Sequence, residues 1–358
     1  MAHVLPQSRI FRAPKAFSLV ELLVVILIIG IIIAIVLPAL GGVRDSARDA
    51  DSRSLIANVS SASSQFILDN RKAPGYFTPF ELGSVDNETR GFTAMQNAML
   101  DLAGGVVLPT TAGQFPVGPS NVAARQVPFS PDAVGVSTGT SKAYFVPPSK
   151  YLKLQNGTEG GTRVGNANHA RIPELVDANG QPLLAWVEDP TARQSVKSIA
   201  DFSAPAALGG NNPSSKFYLA SNYALLNSES LGRLRTNNAV NSLLASAPPS
   251  STPANATATL MGILGNPGSP DDVSKNLINI LPTASRGAFI VHGTGRDGIF
   301  LNRESRRAGS VVFNNIINYG SNFKALPGPA GTPILGTDGR PKSEDVLARF
   351  DDIVQAAN

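Results

Sequence analysis

The chain has 358 residues, of which 42% are hydrophobic, and a formal net charge of +4. It contains no cysteine, which excludes disulfide bonds, thiolate metal sites and catalysis by cysteine. Arg9, Arg12 and Lys15 supply three of the four net charges, because residues 1–16 contain no acid, and residues 17–358 therefore carry +1. This nearly neutral remainder disfavours a nucleic-acid partner, since phosphate binding requires clustered positive charge.

An apolar run follows the basic segment. From Phe17 to Leu37 the only charged side chain is Glu21, and most of the others are Leu, Ile or Val. As an α-helix, a run of this length rises about 30 Å, the thickness of a bilayer core. The preceding cations predict that the N-terminus stays in the cytoplasm and that the large remainder lies in the periplasm, with a single pass through the inner membrane.

Glu21 distinguishes three interpretations of this run. A secretory signal peptide has a shorter apolar region and no carboxylate. A plain membrane anchor explains the length, but an acid within a spanning helix is costly. Cleavage just before Phe17 would create a positive α-amine one helical turn from Glu21. The carboxylate would then have a partner, either in its own chain or in a neighbouring subunit.

The third interpretation leads to a family. The window from Lys15 to Leu40 resembles the processing and methylation motif of type IV pilins and of the pseudopilins of type II secretion systems. Phe17 stands at the family's first mature position and Glu21 at that of its near-universal Glu. Further matches are Gly30 and Ala34 within the run and Pro38 and Ala39 just after it. The chain departs from the family at Ala16, where Gly is usual, so slower processing is expected.

The resemblance implies a structural function and no enzymatic activity. A prepilin peptidase would cut between Ala16 and Phe17 and N-methylate Phe17. The subunit would wait in the inner membrane, meet the inner-membrane assembly platform and join other pilin or pseudopilin subunits in a filament. There Glu21 would neutralise the Phe17 amine of an adjacent subunit. Two alternatives remain. One is a minor or tip pilin whose head binds a surface, a secretion substrate or DNA, although the nearly neutral charge disfavours DNA. The other is an exported enzyme on a plain anchor.

The predicted elements after the leader (residues 1–16) begin with one long helix from Phe17 to about Asn70. Residues 17–40 form its transmembrane and filament-core half, Pro38 is expected to kink it, and residues 41–72 form an amphipathic continuation. Residues 73–358 form a β-rich head with an enlarged, loop-rich part and an insertion at about 190–285. Strands are predicted at 143–146, 183–187, 216–220, 288–292, 298–301 and 310–316, a helix at 93–102, and long loops at 104–131 and 246–270. This order predicts a pilin-like α+β fold with a small antiparallel sheet.

Chemistry in the head is sparse. Residues 293–298 match the dinucleotide fingerprint Gly-x-Gly-x-x-Gly, but a strand and not a helix is predicted next, which favours a hairpin turn. His3, His169 and His292 have no metal-ligand spacing and suggest no catalytic set. Calcium is the one metal predicted, because some pseudopilins bind it in the C-terminal loops of the head. Its candidate ligands are Asp297, Asp351 and Asp352, whose hard oxygens suit Ca²⁺.

Overall fold

The structure is a computed structural model of the chain, and it describes residues 18–87, 91–104, 115–119, 127–129, 142–153, 173–207, 214–226, 241–245, 253–305, 312–313, 315–324, 337 and 342–358. The chain divides into two compact units, residues 1–47 and residues 48–358. The described part of the first unit belongs to the N-terminal helix. The second unit contains the rest of that helix and the head.

A long helix followed by short strands is the order observed. The helices of the described residues are α1 (Leu19–Asn70), α2 (Pro79–Leu82), α3 (Ala94–Leu102), α4 (Ile199–Phe202), α5 (Ala220–Leu226), α6 (Pro253–Leu264) and α7 (Ser321–Lys324). The strands are β1 (Phe115–Val117), β2 (Val127–Phe129), β3 (Leu152–Lys153), β4 (Glu174–Leu175), β5 (Leu184–Val187), β6 (Ser203–Ala204), β7 (Phe217–Tyr218), β8 (Phe289–Gly293), β9 (Val312–Phe313), β10 (Ile316–Ile317) and β11 (Ile353–Ala357). The α+β fold class is confirmed, and it is consistent with a pilin-like fold.

Polar groups fix several helix ends. The Thr93 hydroxyl accepts a hydrogen bond from the Gln96 amide, and the Gln96 side chain accepts one from the Thr93 amide. This reciprocal capping box begins α3 where the sequence predicts a helix. The long helix α1 ends at Asn70, and the Arg71 amide donates to the Ile67 carbonyl at 2.8 Å. The helix end predicted at about Asn70 is therefore confirmed.

The largest sheet has three antiparallel strands in the order β11–β8–β5. Alternate residues of a strand face opposite sides of a sheet, so β8 contributes to two separate cores. Phe289 and Val291 pack into a cluster with residues of α1 such as Ile56. Ile290 packs on the other side into a second cluster, which includes Trp186 of β5 and residues of α6. The sheet is thus covered on both faces.

The strands predicted at 183–187 and 288–292 correspond to β5 and β8, and those predictions are confirmed. The strand predicted at 216–220 is confirmed only for Phe217–Tyr218, since a helix begins at Ala220. Two others are wrong. Residues 298–301 form turns, because Gly298 and Leu301 have positive φ values of 76° and 46°, which no strand allows. Residues 143–146 are irregular, since the amides of Tyr144 and Phe145 both donate to the Leu102 carbonyl at the end of α3.

The single strand predicted at 310–316 is two strands. β9 and β10 pair antiparallel, with Phe313 opposite Ile316. Asn315 lies just before β10 with a φ of +63°, a left-handed conformation that asparagine tolerates better than most residues. The extended conformation was thus predicted correctly for part of residues 310–316. The turn that separates β9 from β10 was not predicted.

The loop predicted at 246–270 is wrong where it overlaps α6. The prolines, serines and threonines of this stretch suggest turns, but Pro253 occupies the first helical position, where a missing amide hydrogen costs nothing. The threonines use their hydroxyls locally. The Thr257 hydroxyl donates to the Ala254 carbonyl at 2.9 Å, and the Thr259 hydroxyl oxygen accepts from the Ile317 amide at 3.1 Å.

The other long loop was predicted at 104–131. Its described residues include the antiparallel pair β1–β2, and most of its other residues lie outside the described part of the chain.

Candidate functional site

Two hydrogen bonds in the first turn of α1 cap the start of the helix, and one of them involves Glu21. Ser18 precedes the helix, and its hydroxyl accepts a hydrogen bond from the Val20 amide at 3.3 Å. The Glu21 carboxylate reaches back and accepts from the Ser18 amide at 2.9 Å. A negative charge is also favourable at this position, near the positive end of the helix dipole. Glu21 therefore has a polar partner within its own chain.

This partnership was missed from the sequence, although the pattern Ser-x-x-Glu before an apolar run is a recognised signal for a helix start. In the sequence Glu21 stands out only as a charge that needs an opposite charge. The structure adds a second function for the same carboxylate, which is to begin the helix. The two functions are compatible, because a carboxylate has lone pairs for more than one donor.

The apolar part of α1 is exposed in the isolated chain. Every residue from Ser18 to Val36 is exposed, and among the described residues α1 is the one helix long and apolar enough to cross a membrane, by length and composition. An apolar surface this large is characteristic of a segment that lipid or another protein covers.

One face of this segment carries a shallow groove. Its lining residues recur at steps of three, four and seven, as expected for one side of a helix. They are Leu23, Ile26, Leu27, Gly30, Ile31 and Ala34. Gly30 and Ala34 form a small-xxx-small pair, the spacing that lets two helix backbones approach closely in a membrane. An added Cβ at Gly30 would meet no atom within 4 Å, so this face is open.

The structure does not test the predictions made for Ala16, Phe17 and Pro38. Ala16 and Phe17, at the predicted cleavage and methylation site, lie outside the described residues. The helical assignment of α1 continues through Pro38. The kink expected there stays a prediction.

The turn that follows β8 brings the predicted acids of the head together. The Asp351 carboxylate accepts hydrogen bonds from the Arg296 and Asp297 amides, at 2.8 and 3.0 Å. Gly295 makes this approach possible: its φ is +71°, and an added Cβ would lie 2.2 Å from the Asp351 carbonyl oxygen. The Gly-x-Gly-x-x-Gly sequence is thus a turn that receives an acid of its own chain. Neither the dinucleotide-binding helix nor the predicted second strand follows it.

Asp297 closes the same turn. Its carboxylate accepts from the Ile299 amide and from the Asn302 side chain, both at 2.8 Å. Burial raises the pKa of Asp297 to about 6, and the nearby charges of Asp351 and Asp352 act in the same direction.

Asp352, just before β11, belongs to a buried network that joins the three strands of the main sheet. Its carboxylate lies 2.6 Å from His292 Nε2 and accepts from the Leu301 amide at 3.1 Å. Trp186 Nε1 donates to His292 Nδ1 at 3.4 Å, which assigns the His292 proton to Nε2, facing Asp352. The side chains of His292 and Asp352 are completely buried. Burial raises the pKa of Asp352.

The three predicted calcium ligands therefore lie around one turn, but each already accepts hydrogen bonds from the protein. Within the residues that the structure describes, no group of three or more His, Asp or Glu side chains is arranged to hold a metal ion. Calcium binding stays a prediction. If it occurs, 1 mM CaCl₂ (about the Kd range of extracellular Ca²⁺ modules) raises the melting temperature and a chelator reverses the rise. A melting temperature that neither addition changes contradicts it.

A second buried acid makes the stability of the head pH-dependent. Asp177 caps the turn between β4 and β5, where its Oδ1 accepts from the amides of Asn179 and Gln181 at 2.8 and 2.9 Å. Burial raises the pKa of Asp177 to about 6, although these amides act to lower it. A carboxyl whose pKa is higher in the folded than in the unfolded state binds its proton more tightly when folded.

We therefore expect the free energy of unfolding to increase by about 1–2 kcal/mol or more when the pH falls from 7.5 to 5, because the pKa values of Asp177, of the partly exposed Asp297 and of the fully buried Asp352 are all raised. Urea unfolding of the detergent-solubilised chain, followed by the fluorescence of its single tryptophan, measures this change. Asp177→Asn keeps the capping oxygen and should make the pH profile shallower, while Asp297 and Asp352 keep the rest of the slope. Stability that instead increases toward pH 7.5 contradicts the assignment.

A comparison with known protein families identifies a motif at the start of the chain. Residues 12–37 match the family model described as the prokaryotic N-terminal methylation motif. The matched segment contains Ala16, Phe17, Glu21, Gly30 and Ala34. No curated protein and no solved structure matches the chain. The match thus covers the segment just before α1 and the apolar half of α1, and it supports the type IV pilin and pseudopilin family.

Proposed function

We propose that this chain, a type IV pilin-like protein by its N-terminal methylation motif, is a structural subunit of a type II secretion pseudopilus or of a type IV pilus. The observation that carries the proposal is the coincidence of that motif with an exposed apolar helix whose first turn is capped by Glu21. A signal peptide or a plain anchor would need no acid at this position.

Maturation follows from the motif. A prepilin peptidase cuts between Ala16 and Phe17 and N-methylates the new terminus. Removal of the leader also removes the three leader cations, so the subunit that remains is nearly neutral. Before assembly the apolar half of α1 lies in the inner membrane, with the head in the periplasm.

Assembly uses the exposed apolar surface of α1. In a filament the α1 helices of neighbouring subunits replace lipid as the covering of this surface, and the Gly30–Ala34 face allows close packing. Glu21 pairs with the Phe17 amine of an adjacent subunit. A buried charge pair contributes little to stability, but loss of one partner is costly, so the pair favours one register of assembly.

A minor or tip subunit is the second candidate. The size of the unit that contains the head, residues 48–358, favours this candidate. Nothing in either candidate requires catalysis, and we propose that the chain is not an enzyme.

The experiment is to shear filaments from cells, purify them and measure the amount of this chain relative to the other filament proteins. A major subunit dominates the preparation, and a tip subunit is present at a small fraction of it. A chain that is processed but absent from filaments of both kinds contradicts the proposal.

A further inference from the structure

A groove lies on the head where α1 ends. It has a volume of about 460 Å³ and is formed mainly by the segment that follows α1, residues 71–79, and by residues at the end of β5 and beyond, between 187 and 194. We call it the α1-end groove. Its walls are mainly apolar and include Ile67, Pro74, Val187 and Ala192. The Tyr76 ring lines it and is 41% exposed. This size and lining are typical of sites for small ligands.

Most charged groups of the groove are already paired. Lys216 forms an ion pair with Glu188 at 2.8 Å, and Glu188 also accepts from the Ser285 hydroxyl. Lys72 pairs with Asp101 at 2.9 Å. Arg71 differs: no carboxylate in the described part of the chain forms an ion pair with it, and it is exposed. The groove therefore presents one cation whose charge is available to a ligand.

Arg71 also has a strained backbone. Its φ is +58°, and it occupies the left-handed position just beyond the end of α1, where glycine is the usual residue. A side chain at this conformation is unfavourable, and such strain concentrates at functional positions. Glycine would end the helix equally well, so helix termination gives no reason for an arginine here.

We propose that the α1-end groove binds a small apolar carboxylate, with its apolar body against the groove walls and the Tyr76 ring, and its carboxylate on the Arg71 guanidinium. Arginine suits this ligand class because its planar fork of donors matches the two oxygens of a carboxylate. The inference is independent of the filament function, since all its residues belong to the head unit.

The test uses the full chain in detergent, 4-phenylbutyrate as the probe and 4-phenylbutanamide as the neutral control, with isothermal titration calorimetry against a detergent blank. We expect the acid to bind at least about tenfold more tightly than the amide, as one charge-assisted contact predicts. Arg71→Gly should lose about tenfold in affinity for the acid. Because it also relieves the backbone strain, its melting temperature should be equal to or above that of the wild type.

Two further variants separate charge from conformation. Arg71→Lys keeps the charge but not the planar fork, and its affinity for the acid should lie between those of the wild type and Arg71→Gly. Arg71→Asn tolerates the left-handed conformation but is neutral, and should lose as much as Arg71→Gly. No binding to the wild-type chain, equal binding of acid and amide, or unchanged affinity in Arg71→Gly overturns the proposal.

Discussion

Filaments from cells that carry Glu21→Gln should contain this chain at about a hundredth of the wild-type level or less, while the processed subunit accumulates normally in the membrane. Glutamine can occupy the third position of a capping box, so the hydrogen bond to the Ser18 amide and the start of α1 are preserved. Only the charge is lost. The Phe17 amine of the neighbouring subunit would then be buried without a partner, at a cost of about 3–5 kcal/mol.

Ser18→Ala is the matched control for this experiment. It removes the hydroxyl that accepts from the Val20 amide but keeps the charge of Glu21, and it should cost about 1 kcal/mol at the helix start. Its incorporation into filaments should remain close to that of the wild type. The measurement is an immunoblot of membrane and sheared fractions. Wild-type incorporation of Glu21→Gln would show that the charge has no assembly function.

The head should lose about 3–5 kcal/mol of unfolding free energy in Asp352→Ala. The substitution leaves the Leu301 amide and His292 Nε2 without their acceptor in a fully buried site, and each unsatisfied group is penalised. The midpoint of urea unfolding, followed by Trp186 fluorescence, should fall by about 1 M or more. Asp352→Asn retains an acceptor oxygen and should lose less.

The neighbouring residue provides the control. Asp351 also accepts two amide hydrogen bonds, but the bond from the Arg296 amide is exposed, so water can replace the lost acceptor in Asp351→Ala. We expect a loss of about 1 kcal/mol. If Asp352→Ala is no more destabilising than Asp351→Ala, the buried network does not hold the three strands together.

The N-terminal helix and its motif could be predicted because the residues that define them lie in one continuous stretch of the sequence. Phe17, Glu21, Gly30 and Ala34 lie in one apolar run, so their spacing in the sequence translates directly into spacing along a helix. The capping partner of Glu21 is equally local, but it was missed because the prediction for this carboxylate rested on its charge alone. The motif match at residues 12–37 supports the family to which this spacing points.

The head could be predicted only in part, because its arrangement depends on distant pairings. His292 and Asp352 are 60 residues apart, and they meet only because β11 pairs with β8. Residues 298–301 have the composition of a strand, but the Leu301 amide is used by Asp352, and positive φ values at Gly298 and Leu301 interrupt any extended segment. Neither the strand order nor these φ values can be obtained from local composition.

The identity of the mature N-terminus tests the proposed function most directly, and mass spectrometry of the N-terminal peptide from purified membranes determines it. We predict that the chain begins at Phe17, that its α-amine carries a methyl group, and that the uncut form accumulates when the prepilin peptidase is inactive. A mature chain that begins at Met1, or at a site beyond Pro38 as a signal peptide would give, contradicts this prediction.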